Sequence, residues 1–194
     1  AGYVKTMEQA AALGAKMVDF AGYTMPIQYH SIRAEHIRVR TTVGMFDVSH
    51  MLAIDVEGPG AHAFLRHLLA NDVEKLKQPG TALYSCMLAS DGGVLDDLIV
   101  YYLAPDRFRL VVNAATADKD LIWIQGQRDA VAGGVELEPR RGLAMIAVQG
   151  PQARSRFWQV RPDCRAHTER LRAFEAAACG ELFVARTGYT GEDG

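Results

Sequence analysis

Hydrophobic residues recur along this chain with two different periods, which predict helices and strands in alternation. Apolar positions three or four residues apart predict helices over residues 7–16, 32–43 and 117–128. Short runs rich in Val, Ile, Leu and Tyr predict strands over residues 82–88, 94–103 and 108–113. Residues 20–26 are interrupted by Gly22 and Pro26, which predicts a loop between the first two helices.

One segment occurs twice in similar form. The sequence IDVEGPGA at residues 54–61 is echoed by IAVQGPQA at residues 146–153, and an amphipathic stretch follows each copy. An apolar run, a glycine and a proline in this order are typical of a strand, a turn and the first position of a helix, where the missing N–H of proline is not needed. The repeat predicts two strand-to-helix units in an α and β fold.

Two adjacent acids, Asp96 and Asp97, interrupt the apolar run of residues 92–103, GGVLDDLIVYYL. Asp is disfavoured in strands, and strand alternation places these two carboxylates on opposite faces, each among apolar neighbours. A poorly solvated carboxylate is unfavourable unless a donor, a cation or a ligand accompanies it. The pair therefore predicts a candidate active site. A turn cap or a water-exposed sheet edge is the alternative, and spacing alone does not choose between the two acids.

Composition excludes several classes of function. The 194 residues carry a net charge of −2 and a pI near 6.3, which provides no global basic field for nucleic acid or membrane, and neither is expected as a partner. No apolar run is long enough to span a bilayer. Cys86, Cys164 and Cys179 are widely spaced without a Cys-x-x-Cys pair, so we expect no disulfide framework, no metal site and a reducing compartment.

Familiar catalytic motifs are missing from the sequence. It has no phosphate-binding glycine loop, dinucleotide fingerprint or His-Glu-x-x-His zinc motif. Asp47, Ser49 and His50 lie too close along one strand to converge as a catalytic triad. Three residues on or beside predicted strands carry a polar tip that suits an apolar pocket for a flat heterocycle, although a residue of this kind, taken singly, is more often a core residue with a satisfied polar group: Tyr84, Asn113 and Tyr189.

An arginine-rich segment with few acids occupies residues 154–172. Its members are Arg154, Arg156, Arg161, Arg165, Arg170 and Arg172. Most segments of this kind are solvated faces. The alternative is a local basic surface that steers an acidic protein partner even on a nearly neutral protein.

Four motifs follow one another along the chain: GAKMVDFAG at residues 14–22, GMFDVSHM at 44–51, GGVLDD at 92–97 and RTGYTGEDG at 186–194. Together they resemble the T protein family of the glycine cleavage system, which are aminomethyltransferases. The resemblance implies an α+β fold of mostly antiparallel sheets packed with helices. It further implies two intertwined subdomains of a three-lobed folate-binding arrangement, with the C-terminal lobe missing.

The resemblance also divides the chain. It places a discontinuous folate-binding subdomain at residues 1–52 plus 140–194 and a second, ferredoxin-like subdomain at residues 53–139. The reaction it implies belongs to glycine catabolism and one-carbon metabolism. In that reaction tetrahydrofolate, a co-substrate, takes the methylene group from an aminomethyl adduct on the lipoyl arm of the H protein, and ammonia is released. The implied partners are folate and lipoylated H protein, without a metal.

Site residues are carried over position by position. Asp97 matches the essential aspartate beside the pterin, and the other folate-pocket positions match Met51, Tyr84, Val111, Asn113 and Tyr189. A carboxylate at such a place accepts hydrogen bonds from pterin N–H groups and stabilises cationic charge during amine displacement. The family has further folate contacts beyond the position of Gly194, so we expect an incomplete pocket, and inactivity, in these residues alone.

Two alternatives remain open from the sequence. One is a folate-binding module of a related family, such as the folate domain of dimethylglycine and sarcosine dehydrogenases or the iron–sulfur assembly folate proteins. The Lys-Gly-Cys-Tyr type of motif found in the latter is absent here, where residues 186–189 read RTGY. The other is a non-catalytic folate-binding fragment. The expected location is the cytoplasm for a bacterial protein or the mitochondrial matrix for a eukaryotic one, although no transit peptide is visible.

Overall fold

The computed structural model describes residues 2–20, 22–130, 133–188 and 191–194. The chain divides into a discontinuous unit, residues 1–50 with 144–194, and a continuous unit, residues 51–143. The boundaries expected from the resemblance were 52/53 and 139/140. Among the described residues, no helix has both the length and the apolar character needed to cross a membrane.

Helices and antiparallel strands occur in both units, which confirms the predicted α+β class. In chain order the elements are α1 (Gly2–Ala12), β1 (Lys16–Phe20), β2 (Tyr23–Gln28), α2 (Ile32–Thr41), β3 (Gly44–Asp47), β4 (Leu52–Glu57), α3 (Ala61–Leu68), β5 (Ala82–Leu88), β6 (Val94–Ala104), β7 (Arg107–Val112), α4 (Ala117–Ala130), β8 (Glu136–Pro139), β9 (Ile146–Gln149), α5 (Ala153–Val160), α6 (Arg165–Thr168), β10 (Glu175–Cys179) and β11 (Leu182–Arg186). Two short 3-10 turns lie at Val73–Lys75 and Pro162–Cys164.

The continuous unit is built on a five-stranded sheet in the order β5-β6-β7-β4-β8, with every neighbouring pair antiparallel. Without the edge strand β5, this order has the connectivity of a β-α-β-β-α-β fold, because α3 follows β4 and α4 follows β7. The three strands predicted over residues 82–113 are confirmed as β5, β6 and β7, and the helix predicted at 117–128 is confirmed as α4.

One face of this sheet carries the hydrophobic core of the continuous unit. Alternate residues of the strands, such as Leu98 and Val100 of β6, point to this face and are buried. Helix α3 adds Phe64 and Leu65, which are fully buried on the apolar side of the helix. Truncating a buried side chain the size of Phe64 to alanine typically costs about 3–5 kcal/mol of stability.

The discontinuous unit contains three two-stranded antiparallel sheets, β1-β2, β3-β9 and β10-β11. The β3-β9 pair joins chain segments from either side of the continuous unit, since Gly44 pairs with Gln149 and Asp47 with Ile146. Adjacent to this pair, the Val48 N–H donates to the Met145 carbonyl at 2.9 Å. Residues distant in sequence therefore complete this unit.

The loop predicted for residues 20–26 is wrong, because most of this segment is extended. β1 and β2 form a hairpin in which Phe20 pairs with Tyr23. Gly22 supplies the turn conformation with φ +79°. Pro26 lies in a two-stranded sheet, where a strand has an edge that needs no N–H donor. Glycine and proline here shape a tight hairpin instead of preventing one.

The helix predicted at residues 32–43 is confirmed as α2, which ends two residues earlier at Thr41. Its start is defined by Ser31, whose hydroxyl accepts from the Ala34 N–H at 3.3 Å, and by Glu35, whose carboxylate accepts from the Tyr29 and His30 N–H groups. The helix predicted at 7–16 lies instead at Gly2–Ala12. The reason is that Gly14 adopts φ +83° and the chain then enters β1.

The two predicted strand-to-helix repeats are present as β4-α3 and β9-α5. Glycine is required at the turn in both, because Gly58 and Gly150 adopt φ +118° and +122°. A Cβ at Gly58 would lie 2.1 Å from the Gly134 carbonyl oxygen, and one at Gly150 would lie 2.4 Å from that of Val39. The prolines precede the first helical residue by two positions, so their predicted place inside the helix is wrong.

The cysteines depart from the sequence-based expectation. Cys164 and Cys179 form a disulfide between the 3-10 turn before α6 and the end of β10, with their Cα atoms 5.5 Å apart. Cys86 is free. No spacing motif marks this pair, because its partners meet only when β10 packs beside α6. The expectation of no disulfide was therefore wrong for the discontinuous unit.

Candidate functional site

The face of the sheet opposite the core carries most of the residues that the resemblance selected. Cys86 of β5 pairs with Asp97 of β6, Tyr84 pairs with Ile99, and Ile99 pairs with Val111 of β7. Alternation along each strand therefore places Tyr84, Asp97 and Val111 on one face. Three neighbouring strands therefore contribute to this face.

Tyr84 and Asp97 are in direct contact on this face. The Tyr84 hydroxyl donates a hydrogen bond to the Oδ2 atom of Asp97. Asp97 is only half-buried, and Tyr84 is 45% exposed. A carboxylate with these surroundings keeps acceptor capacity for a ligand while one of its oxygen atoms is held by a neutral donor.

Asn113 follows the last residue of β7 and contacts both acids of the pair. Its side-chain amide nitrogen lies 2.9 Å from Asp96 Oδ1, 3.2 Å from Asp97 Oδ1 and 3.0 Å from the Asp97 carbonyl oxygen. The two amide protons can serve acceptors on both residues at once. Asn113 is therefore the group that connects Asp96 to Asp97.

Asp96 is the more buried of the two acids, at 9% exposure, and lies on the core side of β6. Its Oδ2 atom accepts from the Thr116 hydroxyl at 2.8 Å and from the Asn113 backbone N–H at 3.3 Å. Burial acts to raise the pKa of Asp96, but hydrogen bonds from Asp120, Asn113 and Thr116 outweigh it and lower that pKa. Asp96 is therefore an ionised carboxylate whose donors come from the protein.

Asp120 is a member of this cluster that the sequence reasoning missed. It lies near the start of α4, has no exposed surface, and is within hydrogen-bonding reach of the Asp96 carboxylate. Burial, followed by the neighbouring Asp96, raises the pKa of Asp120 to about 7. A signal was present in the sequence, because Asp120 is spaced as a core residue between Ala117 and Ile124 on the helix.

Met51 and Tyr189 are the two remaining predicted site residues. Met51 is half-buried in the bend before β4, and the next residue, Leu52, pairs with Val112, which immediately precedes Asn113. Met51 thus lies at the same end of the sheet as Asn113. Tyr189 lies outside the described residues. The structure therefore groups Tyr84, Asp97, Val111 and Asn113 with Met51 nearby.

The polar residues around His50 form hydrogen bonds with the backbone and do not form a catalytic triad. The Ser49 hydroxyl donates to the Met145 carbonyl oxygen at 3.3 Å and accepts from the Met145 N–H at 2.9 Å. Asp47 accepts from the Ser49 backbone N–H instead of orienting the imidazole. His50 packs against the rings of Phe20 and Tyr23, and burial lowers its pKa. Among the described residues, the hydroxyl of Ser49 donates to a backbone carbonyl oxygen and not to a general base.

A second buried acid, Asp55, belongs to an ion network across β4, β7 and β8. Asp55 is fully buried and accepts two hydrogen bonds from Arg109, at 2.6 and 2.9 Å, and one from Arg140 at 2.8 Å. Burial acts to raise the pKa of Asp55, but Arg109 and Arg140 together hold it below its ordinary value. Its oxygen atoms are occupied by fixed guanidinium groups, so this cluster stabilises the sheet.

Most arginines of the 154–172 segment are engaged locally. Arg154 and Arg165 lie over the ring of Trp158, at 5.0 and 5.5 Å from its centroid, and Arg154 also donates to the Thr168 and Glu169 carbonyl oxygens. Further pairs are Arg161–Asp163, Arg165–Glu169 and Arg172–Glu175. Within the described residues no ion pair is found for the exposed Arg156 and Arg170.

One group of candidate metal ligands occurs within the described part of the chain. It consists of Asp163 with Cys164 and Cys179. Because the two sulfur atoms are bonded to each other, they offer no thiolate to a metal. This group is therefore a disulfide with an adjacent carboxylate.

Comparison with known proteins places this geometry in context. Residues 6–194 match the family described as the GCVT N-terminal domain. The chain is 56% identical over 183 residues to an aminomethyltransferase of Nitrosomonas europaea, covering 94% of this chain and 50% of that protein. It is 59% identical over 184 residues to an aminomethyltransferase of Bordetella petrii, with the same coverage of 94% and 50%.

A solved structure is also similar. The crystal structure of glycine cleavage system aminomethyltransferase T from Bartonella henselae matches with a TM-score of 0.82 and 36% identity. The match covers 96% of this chain and 50% of that one. The chain thus spans about half the length of the curated relatives that it matches.

Proposed function

The chain belongs to the GCVT N-terminal domain family, and from that premise we propose that its protein is an aminomethyltransferase of the glycine cleavage system. The proposed reaction breaks the bond between carbon and nitrogen and the bond between carbon and sulfur in an aminomethyl adduct on the lipoyl arm of the H protein. The methylene carbon forms two new bonds to nitrogen atoms of tetrahydrofolate, which lose one proton each. One proton leaves with the amine as ammonia, and the other goes to the lipoyl sulfur, which becomes a thiol.

The observation that carries this proposal is the contact of Tyr84 and Asn113 with the half-buried Asp97. Displacement of an amine develops positive charge on the methylene carbon and its nitrogen substituents. A carboxylate held in fixed geometry stabilises that charge without having to reorient. Asp97 is the catalytic residue of the proposal, since it would contact the reacting atoms.

Folate recognition is the second part of the proposal. Pterin N–H groups are donors, and the Asp97 carboxylate retains acceptor capacity beside its bonds to Tyr84 and Asn113. Val111 is an apolar neighbour on the same face as Asp97, although only 8% of it is exposed, and Met51 lies near Asn113 at one end of the sheet. Tyr189 is included in the proposed folate site on the family resemblance alone. A flat heterocycle fits a site with apolar walls and one charged acceptor.

The test uses the full-length protein, since the chain spans about half of its relatives. Transfer of methylene to tetrahydrofolate is measured with aminomethylated H protein for wild type and Asp97→Asn. Because the variant keeps the size of the side chain and removes its charge, we expect kcat to fall about 100-fold or more. The exposed Asp129, replaced in the same way, is the matched control. Full turnover by Asp97→Asn would overturn the proposed role of this carboxylate.

A calorimetric titration separates the transferase from a folate-binding module of a related family. Wild-type full-length protein is titrated with tetrahydrofolate and then supplied with aminomethylated H protein. Heat of folate binding followed by methylene transfer supports the proposal. Folate binding without transfer would favour the related module, and binding that is unchanged in Asp97→Ala would remove Asp97 from the folate site.

The protein partner proposed is lipoylated H protein, bound in part through exposed arginines. Arg154 is unsuitable as a probe, because it holds backbone carbonyl oxygens at the end of α6. Arg156 and Arg170 are exposed and are the better choice. Replacing both with glutamate should weaken binding of an acidic partner, and binding should also fall with added salt. Affinity insensitive to both changes would exclude this surface.

The cellular location is proposed from the relatives, which come from bacteria. We propose the cytoplasm, where the other components of such a system would have to meet this protein. Fractionation of cells of the source organism, with detection of the full-length protein, tests this. Recovery in the periplasm would contradict it.

A further inference from the structure

Asp120 is a buried acid to which the proposed reaction gives no role. It has no exposed surface, and neither of its carboxyl oxygen atoms meets a hydrogen-bond donor within the described part of the chain. An ionised carboxylate in that position would lose its hydration without compensation. The same carboxyl group in its protonated form is a donor and needs only an acceptor.

The acceptor is provided by the adjacent strand. The Asp120 backbone N–H donates to the Thr116 carbonyl oxygen at 2.8 Å, and the Thr116 hydroxyl donates to Asp96 Oδ2, also at 2.8 Å. This first turn of α4 places the Asp120 carboxyl within hydrogen-bonding reach of Asp96. Two buried carboxyl groups at such a distance do not both ionise readily.

The proton resides on Asp120 and not on Asp96, because the donors are distributed unequally. Asp96 accepts from the Thr116 hydroxyl and from the side-chain and backbone N–H groups of Asn113. Hydrogen bonds from neutral donors favour the charged form of the carboxyl that receives them. The Thr116 hydroxyl also lies near Asp120, but it donates to Asp96 at 2.8 Å, and no other donor of the described residues is fixed on Asp120. The proton of Asp120 therefore completes the set of donors around Asp96.

We propose that Asp120 is a positioning residue: its protonated carboxyl holds Asp96, which fixes the side-chain amide of Asn113 against Asp97. The inference rests on the proposed function, because it matters for catalysis only if Asp97 acts on the substrate. It deepens that function by assigning a role to a helix residue that lies beside Asp96, on the core side of the sheet. The chain of contacts runs from α4 through β6 to the residue after β7.

The charged and titratable groups that face Asp120 determine over which pH range it keeps its proton and holds Asp96. Asp96 on β6 is the nearest, and Asp97 lies beyond Asn113. Lys119 lies next to Asp120 on α4, and its positive charge favours the ionised form of Asp120. The ammonium group of Lys119, however, donates to the Leu95 carbonyl oxygen at 2.9 Å. Loss of the Asp120 proton would place two anions side by side. Asn113 would then be drawn toward a more negative pair and away from Asp97.

The first arm of the test does not depend on enzymatic activity. The NMR chemical shift of the Asp120 carboxyl carbon is followed against pH in the full-length protein, together with the side-chain amide signals of Asn113. We expect both to change with one midpoint near pH 7. In Asp96→Asn the Asp120 midpoint should fall by at least about one pH unit, because the neighbouring charge is gone. Asp118→Asn is the control, since Asp118 is exposed on the same helix.

Two outcomes of this arm would overturn the inference. One is an Asp120 midpoint near that of an ordinary carboxyl group, which would mean that Asp120 is an anion at neutral pH. The other is an Asn113 amide whose signals do not follow the Asp120 titration, which would mean that the contacts carry no effect to Asp97. Neither result depends on whether the protein transfers methylene groups.

The second arm measures kcat and KM for tetrahydrofolate in the full-length protein for Asp120→Asn and Asp120→Ala. Asparagine keeps a donor toward Asp96 and does not titrate, so kcat should stay within about threefold of wild type and lose its dependence on pH near 7. Alanine removes the donor, so kcat/KM for tetrahydrofolate should fall about tenfold. Equal losses in both variants, or no loss in either, would overturn the inference. An inactive wild type would instead overturn the proposed function.

Discussion

Asp96 and Asp97 are consecutive residues of one strand, yet they belong to opposite faces of the sheet and are connected by the side chain of Asn113. Asp96 pairs across the strand with the fully buried Met87 and Asp97 with the partly exposed Cys86. One acid is therefore surrounded by donors of the protein, and the other retains acceptor capacity for a ligand. Strand alternation gives two identical residues different environments without any insertion in the chain.

Tyr84→Phe tests the donor that meets Asp97 on the face of the sheet opposite the core. The change removes one hydroxyl that donates to the carboxylate and leaves the ring in place. A hydrogen bond to a charged group is worth about 1.5–3 kcal/mol, and the exposure of Tyr84 favours the lower end, so kcat/KM for tetrahydrofolate should fall about tenfold. Steady-state kinetics of the full-length protein measures this. Tyr29→Phe, at a comparable exposure, is the control, and an equal effect of both changes would contradict the prediction.

The raised pKa of Asp120 predicts how stability changes with pH. In the folded chain this pKa is about 7 against 3.8 for the free group, so between these values the folded state binds more protons than the unfolded state. The contribution of Asp120 to the free energy of unfolding therefore becomes less favourable as the pH rises from about 4 to about 7. Above pH 7 this contribution is constant. Asp120→Asn should gain up to about 4 kcal/mol relative to wild type across this window. Urea denaturation at several pH values measures it, and a pH-independent difference would contradict it.

Asp55→Ala should destabilise the continuous unit strongly. The change leaves the Arg109 side chain, which is 13% exposed, without its buried partner, and such losses cost about 3–5 kcal/mol. Glu57→Gln is the control, because Glu57 pairs with Arg107 at the surface and should change stability by less than about 1 kcal/mol. Urea unfolding followed by circular dichroism distinguishes the two. Equal free energies of unfolding for wild type and Asp55→Ala would show that the network contributes little.

The same network predicts acid sensitivity. Since the pKa of Asp55 lies below its ordinary value of 3.8, its stabilising contribution is complete above that value. It is lost as the pH falls through the lowered pKa of the folded state. The stability difference between wild type and Asp55→Ala should therefore shrink in strong acid.

The Cys164–Cys179 bond predicts one reactive thiol per chain and not three. Thiol titration of unfolded protein that was purified without reductant should detect only Cys86. Since the bond closes a loop of 15 residues, reduction should lower the free energy of unfolding by about 3 kcal/mol. Cys86→Ala should leave this effect of reductant unchanged. Three titratable thiols would contradict the prediction, because they would show that the bond is not formed in the purified protein.

Local sequence patterns correctly predicted those helices and strands whose start, end and buried side are marked by residues within the element itself. Helix α2 has its cap and first-turn acid in sequence, and β5 to β7 are apolar runs with clear ends. β2 was missed because Gly22 and Pro26 are loop signals in general, and only the pairing with β1 makes them parts of a hairpin. The acid pair of β6 was recognisable as unusual from its apolar neighbours alone.

The site was only partly predictable for a related reason. Choosing Asp97 over Asp96 needed the family resemblance, because alternation treats the two positions alike. Asp120 was missed because its partner, Asp96, lies on β6, and no sequence pattern between the two residues indicates that they are in contact. The disulfide was missed for the same reason, since Cys164 and Cys179 meet through the packing of α6 and β10. Long-range proximity is the information that local periodicity lacks.

The continuous unit is inserted between the two strands of the β3-β9 pair, which constrains the order of synthesis and folding. A ribosome releases β3 about 100 residues before β9, and domains tend to fold as units while the chain emerges. Residues 51–143 contain every strand of the five-stranded sheet, so this sheet can form first. β3 must then wait for β9 with its edge unpaired, which is the stage at which a nascent chain is most prone to aggregate.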